Sequence, residues 1–321
     1  MFESFFGKSF NPEKDIPSLS GKVILVTGGA KTGNTGLGKE TVLQLAKHDP
    51  KEIVLAARTQ SKAEAAIAEI TTIVPGANIS FLELDLASLA SVKKAADEFT
   101  SRSDRLDILI NNAGVMMLPW SRTQDDYEIQ FGTNHMGHAL LTKLLLPTLL
   151  QTAQHAGADV RIVTLSSEGH KLFSGPEMIY EQSALEKFHT TSRYGHSKLA
   201  NIYHARELAR RYPSLTAISL HPGVIVTDLY STYSANNLVI KAFTVGGKLA
   251  TAAGLLYDVP AGTKNQLWAA TAPRDEVRAK GYYLLPVGKG VADSWSKMGG
   301  NAKKAEELWD WTEAELKKHG Y

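Results

Sequence analysis

The stretch that decides the fold is Lys22–Gly38, KVILVTGGAKTGNTGLG. Its first six residues are almost all apolar or β-branched and run into a pair of glycines, which is typical of a buried strand followed by a tight turn. Similar runs recur along the chain, and we predict seven strands in all. The other six are KEIVLAAR (51–58), NISFLELD (78–85), LDILINNAG (106–114), VRIVTLSS (160–167), LTAISLHPG (215–223) and KGYYLLP (280–286).

Helical patterns separate these strands. The predicted helices are Leu37 to His48, Ser61 to Thr72, Ser88 to Ser101, Asp125 to Thr152 and Ser192 to Tyr212. Apolar strands that alternate with helices are typical of a parallel sheet covered on both faces. We therefore predict an α/β fold of the Rossmann type, doubly wound, with a seven-stranded, mainly parallel sheet in a single domain over residues 21–321.

Three segments depart from this alternation. Residues 1–20 are predicted to form a polar arm. Residues 224–260 contain no clear strand, and a long excursion after a strand is where an open α/β sheet places elements that cover a ligand. Residues 302–318 predict an amphipathic helix docked on the domain. Its buried face is predicted to comprise Ala305, Leu308, Trp309, Thr312 and Leu316.

The composition excludes several classes of protein. The 321 residues include no cysteine, so disulfides, thiol catalysis and cysteine metal sites are excluded. The net charge of +2 and the dispersed basic residues argue against a nucleic-acid partner. No stretch has the pattern of a signal peptide or the length of a membrane span. We expect a cytoplasmic protein that acts on a small molecule and has no metal site; a homodimer is compatible with the sequence.

A glycine-rich loop joins the first strand to the first helix. Gly28, Gly36 and Gly38 permit a tight turn there, and Leu37 opens the helix. Such a turn lets a pyrophosphate approach the N–H groups of a helix N-terminus. The spacing differs from GxGxxG, and Glu40 stands where a phosphate-binding P-loop requires serine or threonine. On its own the loop fits either a dinucleotide site or an ordinary turn.

Polar residues follow the second, third and fourth strands. An enzyme specific for NAD(H) usually has a carboxylate at the end of the second strand, but Ala57 and Arg58 stand there, and arginine pairs with a 2′-phosphate. We therefore predict NADP(H) rather than NAD(H). Asp85 suits the adenine ring or a helix cap. Asn112, within the NNAG sequence, lies at the same carboxyl edge of the sheet, where such folds bind ligands.

Tyr194 and Lys198 are four residues apart in a predicted helix, so the phenol and the ammonium share one helix face. A phenol with its ordinary pKa near ~10 exchanges protons poorly at neutral pH, and a nearby cation favours the phenolate. The pair alone fits an ordinary amphipathic helix as well as a proton-transfer site.

Together these motifs resemble the short-chain dehydrogenase/reductase superfamily. The glycine turn, Asp85, NNAG, GTNHMGH, RIVTLSS, YGHSK and HPGVIVTDL occur in the family's order between about Lys22 and Asp228. The sequences LINNAGVM, NHMGHALLT and YGHSKLANI are most similar to those of the retinol-dehydrogenase-like and WW-domain-oxidoreductase-like branch.

The resemblance implies a role for each matching residue. Tyr194 is implied as the general acid in reduction and the general base in oxidation, and Lys198 as the group that lowers its pKa and binds the nicotinamide ribose. Ser167 would hold the substrate oxygen, and it is preferred to Ser166 because strand alternation sends the two to opposite faces. Asn134 would hold a water in a proton relay to Lys198. The carboxamide of nicotinamide would contact Ile225 and Thr227. His135, His138 and His221 are interpreted as structural.

One departure from the family and two alternative functions stay open. Ala30–Gly33 lengthens the family's glycine turn by four residues, and Lys31 within it either pairs with a phosphate or faces solvent. The leading hypothesis is an NADP(H)-dependent oxidoreductase acting on a carbonyl or alcohol of a hydrophobic small molecule. The alternatives are an epimerase or dehydratase on the same fold, and a non-catalytic dinucleotide-binding scaffold or sensor.

Overall fold

A single twisted sheet organises the chain. The structure, a computed structural model, describes residues 9–29, 36–175, 177–225, 257–290 and 299–321. The strands are β1 (Val23–Thr27), β2 (Glu52–Ala57), β3 (Ile79–Glu83), β4 (Ile108–Asn111), β5 (Arg161–Leu165), β6 (Thr216–Leu220), β7 (Tyr283–Leu285) and β8 (Lys289–Gly290). Within the described ranges the order across the sheet is β3-β2-β1-β4-β5-β6-β7-β8. Neighbouring strands are parallel except β7 and β8, which are antiparallel.

Helices cover both faces of this sheet. They are α1 (Pro12–Asp15), α2 (Leu37–Ala46), α3 (Gln60–Ile73), α4 (Leu89–Arg102), α5 (Ile129–Phe131), a π-helical turn (Gly132–Met136), α6 (Gly137–Thr152), α7 (Thr190–Arg211), α8 (Val259–Thr271), α9 (Arg274–Arg278) and α10 (Ala302–Lys318), with 3₁₀ turns at Glu168–Leu172 and Gln182–Lys187. No helix in the described part of the chain is both long enough and apolar enough to cross a membrane.

Two apolar clusters form the core, one on each face of the sheet. All five residues of β1 are buried, and alternate side chains enter opposite clusters: Ile24 and Val26 pack on the side of α2, α3 and α8, and Val23 and Leu25 on the side of α4, α6, α7 and α10. Burial on both faces explains why the strand sequences are apolar runs rather than alternating patterns. The predicted Rossmann-type α/β fold is confirmed.

The predicted number of strands was wrong by one. A two-residue antiparallel strand, Lys289–Gly290, returns beside β7 and makes an eighth. So short a strand has no apolar periodicity, and pairing with Leu284 and Leu285 defines it instead.

The helix predicted from Asp125 begins later. Glu128 is the N-cap of α5, and its carboxylate accepts hydrogen bonds from the backbone N–H groups of Gln130 and Phe131. Asp125 instead accepts a hydrogen bond from the backbone N–H of Leu89, at the start of α4. The predicted helix therefore starts a few residues too early. An acidic residue at position 125 or at position 128 is equally typical of a helix N-terminus, so the pattern does not distinguish them.

The segment expected to be a polar arm is partly apolar core. Phe10, Ile16 and Leu19 are buried in the cluster on the α2 side of the sheet. These three residues are separated by polar ones without a helical or strand period, so the sequence pattern concealed their burial. At the other end of the chain, α10 occupies Ala302–Lys318 and buries Ala305, Leu308, Trp309, Thr312 and Leu316.

Candidate active site

The strand order reverses between β1 and β4, and the loops that follow these strands meet at the carboxyl edge. The Thr27 hydroxyl accepts hydrogen bonds from the backbone N–H groups of Asn112 and Ala113, both at 3.0 Å. The Asn112 side-chain amide donates to the Thr27 carbonyl at 2.7 Å. The turn after β1 and the NNAG loop after β4 are therefore joined at the point where open α/β sheets bind ligands.

Glycines let these backbones approach closely. Gly28 has a φ of +79°, and a Cβ there would lie 2.8 Å from Ala113. At Gly38, a Cβ would lie 2.6 Å from the side-chain nitrogen of Asn112 and 2.8 Å from the Gly28 carbonyl oxygen. A side chain at Gly28 would push the NNAG loop away from the turn, and one at Gly38 would push α2 away from both, so the tight turn needs a glycine at each position.

A cleft of about 360 Å³ runs along this edge. Of the predicted cofactor residues, those that line it are Gly28, Gly36, Leu37, Gly38, Arg58, Asp85, Asn112, Tyr194 and Lys198. The N-terminus of α2 opens into the cleft, and such a terminus, with its unpaired N–H groups, suits a phosphate. Lys39, in contrast, forms an ion pair with Glu69 of α3 and ties the two helices together.

Two of the predicted cofactor residues lie elsewhere. Ile225 is buried and bridges to Tyr257, and a Cβ built at Gly262 would lie only 2.1 Å from the Ile225 side chain, so Ile225 packs closely against α8. It is not among the residues that line the cleft. Thr227 lies outside the described residues, as do Lys31 and the rest of the glycine-loop insertion.

The β2 end of the cleft is exposed and positively charged. Arg58 and Lys62 both line it, with Thr59 between them. The sequence analysis missed Lys62, which lies in the first turn of α3, just after the Thr59 N-cap and four residues after Arg58. At the neighbouring strand, one Asp85 carboxylate oxygen accepts a hydrogen bond from the Ala87 N–H at 3.0 Å, so this side chain braces its own turn while facing the cleft.

The opposite end of the cleft is buried and is built by α7. Tyr194 and Lys198 are 7% and 4% exposed, and the Lys198 ammonium lies 5.7 Å from the centre of the Tyr194 ring. The ammonium donates a hydrogen bond to the Leu165 carbonyl at 3.0 Å. Burial lowers the pKa of Lys198 to about 8. The spacing predicted from the sequence thus places a cation beside a phenol in a weakly solvated site.

The two serines after β5 face different partners. The Ser166 hydroxyl donates to the Lys198 carbonyl oxygen at 2.7 Å, so it fastens the strand to α7. The Ser167 hydroxyl accepts a hydrogen bond from the Gly169 N–H at 3.0 Å. A Cβ built at Gly169 would lie 3.2 Å from the Ser167 hydroxyl and 2.9 Å from the Tyr194 ring, which brings serine and phenol to the same glycine. Ser166 lines the cleft, whereas Ser167, the serine that the sequence analysis preferred, is not among the lining residues.

Asn134 lies in the π-helical turn and is fully buried. Its amide oxygen accepts a hydrogen bond from the Val115 N–H at 2.8 Å, and its amide nitrogen donates to the Val115 carbonyl and the Ser197 hydroxyl, both at 2.9 Å. A Cβ built at Gly114 would lie 3.1 Å from the Asn134 amide oxygen and 3.5 Å from the Lys198 nitrogen. The Asn134 side-chain amide is therefore engaged in three hydrogen bonds, and the Asn134 backbone carbonyl oxygen lies 3.0 Å from Nδ1 of His138.

The histidines interpreted as structural are buried and neutral. His135 contacts the Thr312 hydroxyl of α10 at 3.2 Å, and its pKa lies well below the ordinary value because of burial. Burial also lowers the pKa of His221 to about 4. His138 lies between Thr27 and the backbone of Asn134.

The similarity of this chain to known proteins shows the family to which it belongs. The chain belongs to the short-chain dehydrogenase family, whose model matches residues 22–238. It is similar to a short-chain dehydrogenase/reductase of Aspergillus calidoustus, with 36% identity over 315 residues that cover 94% of this chain and 96% of that protein. It is also similar to retinol dehydrogenase 12 of Homo sapiens, with 34% identity over 295 residues, 91% of this chain and 85% of the relative.

A solved structure has the same fold. The crystal structure of an uncharacterized protein from Mycobacterium paratuberculosis superposes with a TM-score of 0.70 at 30% identity and covers 97% of this chain and 98% of its own. The predicted resemblance to the short-chain dehydrogenase/reductase superfamily and its retinol-dehydrogenase-like branch is confirmed. The chain is therefore an oxidoreductase of a family that binds nicotinamide dinucleotides and acts on small molecules.

Proposed function

We propose that this protein is an NADP(H)-dependent oxidoreductase that transfers a hydride between nicotinamide and the carbonyl or alcohol group of a hydrophobic small molecule. The observation that carries the proposal is the pairing of Tyr194 and Lys198, buried together at one end of a glycine-lined cleft. The dinucleotide, when bound, supplies or accepts the hydride; the residues of the chain handle the proton and the developing charge.

The proton passes through Tyr194. In reduction its hydroxyl donates a proton to the substrate oxygen, and in oxidation the phenolate accepts one. The Lys198 ammonium, 5.7 Å from the ring centre, favours the phenolate by its charge. Ser167 donates a hydrogen bond to the same substrate oxygen and stabilises the charge that develops on it. Asn134 holds, by its backbone carbonyl, a water that relays protons to Lys198.

The preference for NADP(H) rests on the charge at the β2 end. Ala57 stands where a carboxylate would favour NAD(H), and Arg58 and Lys62 offer two exposed cations to a 2′-phosphate. We place the phosphates at the N-terminus of α2 and the adenine beside Asp85.

The proposed substrate is hydrophobic. Leu172 and Val224 follow β5 and β6 and are 54% and 45% exposed; among the described residues, Ile73 is the other large apolar side chain that is similarly exposed. They suit the apolar wall of a substrate entrance. The apolar residues of the 224–260 excursion on which the sequence prediction rested, from Leu229 to Leu256, lie outside the described residues. The cytoplasmic location and the homodimer remain predictions of the sequence.

The test is a Tyr194→Phe variant assayed against a panel of steroids, retinoids, aromatic aldehydes, quinones and aliphatic ketones. We expect wild-type protein to consume NADPH with at least one of them. The variant should lose turnover by about 10²–10⁴-fold while NADPH binding, measured by fluorescence titration, stays nearly unchanged. Activity that survives the substitution would contradict the mechanism. Tight NADPH binding by the wild type with no turnover across the panel would favour a scaffold or sensor. Turnover without net consumption of NADPH would favour an epimerase.

A further inference from the structure

His138 occupies a buried position between the cofactor turn and the catalytic asparagine. It lies in the first turn of α6, four residues after Asn134, and is 3% exposed. Its Nε2 atom is 2.9 Å from the Thr27 hydroxyl oxygen, and its Nδ1 atom is 3.0 Å from the Asn134 carbonyl oxygen. Both neighbours belong to the proposed site, one through the turn after β1 and the other directly.

Thr27 and Asn134 together fix the direction of the two hydrogen bonds that His138 makes. The Thr27 hydroxyl already accepts two backbone N–H groups, from Asn112 and Ala113, which use both of its lone pairs. Its own hydrogen is therefore donated, and His138 Nε2 accepts it. At the other end the Asn134 carbonyl has no hydrogen to give, so His138 Nδ1 carries the proton and donates it. Only the neutral Nδ1–H tautomer satisfies both contacts.

The surroundings keep the imidazole in this neutral form. Burial, opposed by the hydrogen bond to Asn134 and reinforced by the nearby Lys198 charge and by His204, lowers the pKa of His138 to about 4. A protonated ring would carry a second N–H toward Thr27, whose hydroxyl would then have to give up one of the two backbone donors of the NNAG loop. The hydrogen bonds from Thr27 to His138 and from His138 to Asn134 therefore persist together at any pH at which the imidazole is neutral.

We propose that His138 is a positioning residue: it fixes the backbone carbonyl of Asn134 relative to the NNAG loop, so that this carbonyl can hold the relay water beside Lys198. The inference rests on the proposed function, since it assigns the relay to the Asn134 carbonyl. Asn134 lies in a π-helical turn, and such turns are frequent at functional sites. The imidazole adds a side-chain hydrogen bond that holds the Asn134 carbonyl along a defined direction.

Direct observation of the tautomer tests the network without any catalysis. Nitrogen NMR of ¹⁵N-histidine-labelled apo protein, with the His138 signals assigned by their loss in His138→Gln, should show Nδ1 protonated and Nε2 unprotonated at pH 7. A signal pair with the proton on Nε2 would overturn the proposal.

Kinetics test the positioning role. His138→Phe fills the space without a hydrogen bond, and we expect kcat to fall by about 10- to 100-fold, the scale of a misplaced catalytic group. The KM for the carbonyl substrate and the affinity for NADPH should change less than threefold. The solvent deuterium isotope effect on kcat should rise, because proton relay becomes slower than hydride transfer. His138→Gln, whose amide both donates and accepts, should recover most of the rate and keeps the test open where the phenylalanine variant folds poorly.

His135→Phe is the matched control, since His135 is also buried, in the adjacent π-helical turn, but contacts Thr312 of α10. It should lower the melting temperature as much as His138→Phe while leaving kcat within about threefold and the isotope effect unchanged. Equal loss of kcat in the two variants would reduce His138 to a structural residue. If Tyr194→Phe also retained activity, the proposed function itself would fail; if Tyr194→Phe alone were inactive, only the role of His138 would.

Discussion

The two ends of the cleft use charge in opposite ways. At the β2 end Arg58 and Lys62 are exposed, and water and salt screen them. At the α7 end Lys198 is 4% exposed, and burial alone is enough to lower its pKa to about 8. Exposed cations cost the fold little, whereas a buried cation destabilises the folded state; in the proposed mechanism the exposed pair selects the cofactor and Lys198 supports proton transfer. Substitutions at the two ends should therefore differ in size, in salt dependence and in the sign of their effect on stability.

The largest effect is expected at Lys198. Lys198→Met should reduce turnover by about 10²–10⁴-fold, the range for losing a group that supports proton transfer. The same variant should unfold less readily at pH 7, because it no longer buries an ammonium whose pKa is lowered from 10.5 to about 8. That shift corresponds to a penalty on the order of 3 kcal/mol, offset in part by the lost hydrogen bond to Leu165.

The pH dependence of stability isolates this residue. Between about pH 8 and 10.5 the unfolded chain holds a proton on Lys198 that the folded protein has released, so the free energy of unfolding of the wild type rises with pH over this window. Lys198→Met lacks that rise. Urea unfolding at pH 7 and at pH 10 should show the advantage of the variant shrinking, and a constant difference would show that Lys198 is not destabilising.

A smaller effect is expected at the serines. Ser167→Ala should lower kcat by about 10²-fold or more, the scale of losing one donor to a developing oxyanion. Ser166→Ala removes a buried hydrogen bond to the Lys198 backbone, so it should cost about 1 kcal/mol of stability and change kcat less. Steady-state kinetics and thermal unfolding of both variants separate the two roles. A larger kcat loss in Ser166→Ala would reverse the assignment.

At the β2 end of the cleft, substitutions should change the preference for NADPH over NADH and little else. Arg58→Ala should weaken NADPH by roughly 10- to 150-fold, because a charge-assisted hydrogen bond of about 1.5–3 kcal/mol is lost, and should barely alter NADH. Lys62→Ala should have the same selectivity with a smaller loss, since lysine makes no bidentate contact. Titrations at low and high salt should show the difference from wild type narrowing as ionic strength rises. Equal weakening of NADH and NADPH would remove Arg58 from the 2′-phosphate site.

The smallest effect is expected from the loop insertion. Deleting Ala30–Gly33 restores the family's glycine spacing, so the shortened protein should fold and bind NADPH within about tenfold of wild type, or ~1.4 kcal/mol. Circular dichroism and NADPH titration measure the two properties. Selective loss of NADPH affinity at low salt would assign Lys31 to the phosphate, and complete loss of binding in a folded variant would make the longer loop itself the phosphate site.

The sequence by itself determined most features that depend on a local pattern. Apolar runs gave the seven longer strands, helical spacing gave α10 and the shared face of Tyr194 and Lys198, and strand alternation separated Ser166 from Ser167. Glycine identity at Gly28 and Gly38 indicated a tight approach of backbones before any partner was known. These rules succeed because they depend on residues within one turn or one strand of each other.

Only the tertiary structure decided which distant residues meet. Thr27 and His138 are 111 positions apart, and nothing in the local pattern of either indicates that a hydroxyl will contact an imidazole that in turn contacts Asn134. Phe10 is buried in the core although the sequence around it has no helical or strand periodicity. Strand β8 is defined only by its pairing with β7. The sequence predicted that Asn134 holds a relay water, and that role stays a prediction; only the structure shows that its amide hydrogen-bonds Val115 and Ser197. Such pairings follow from the packing of whole helices on the sheet, because hydrogen bonds in a buried site form between whichever groups that packing brings within 3 Å.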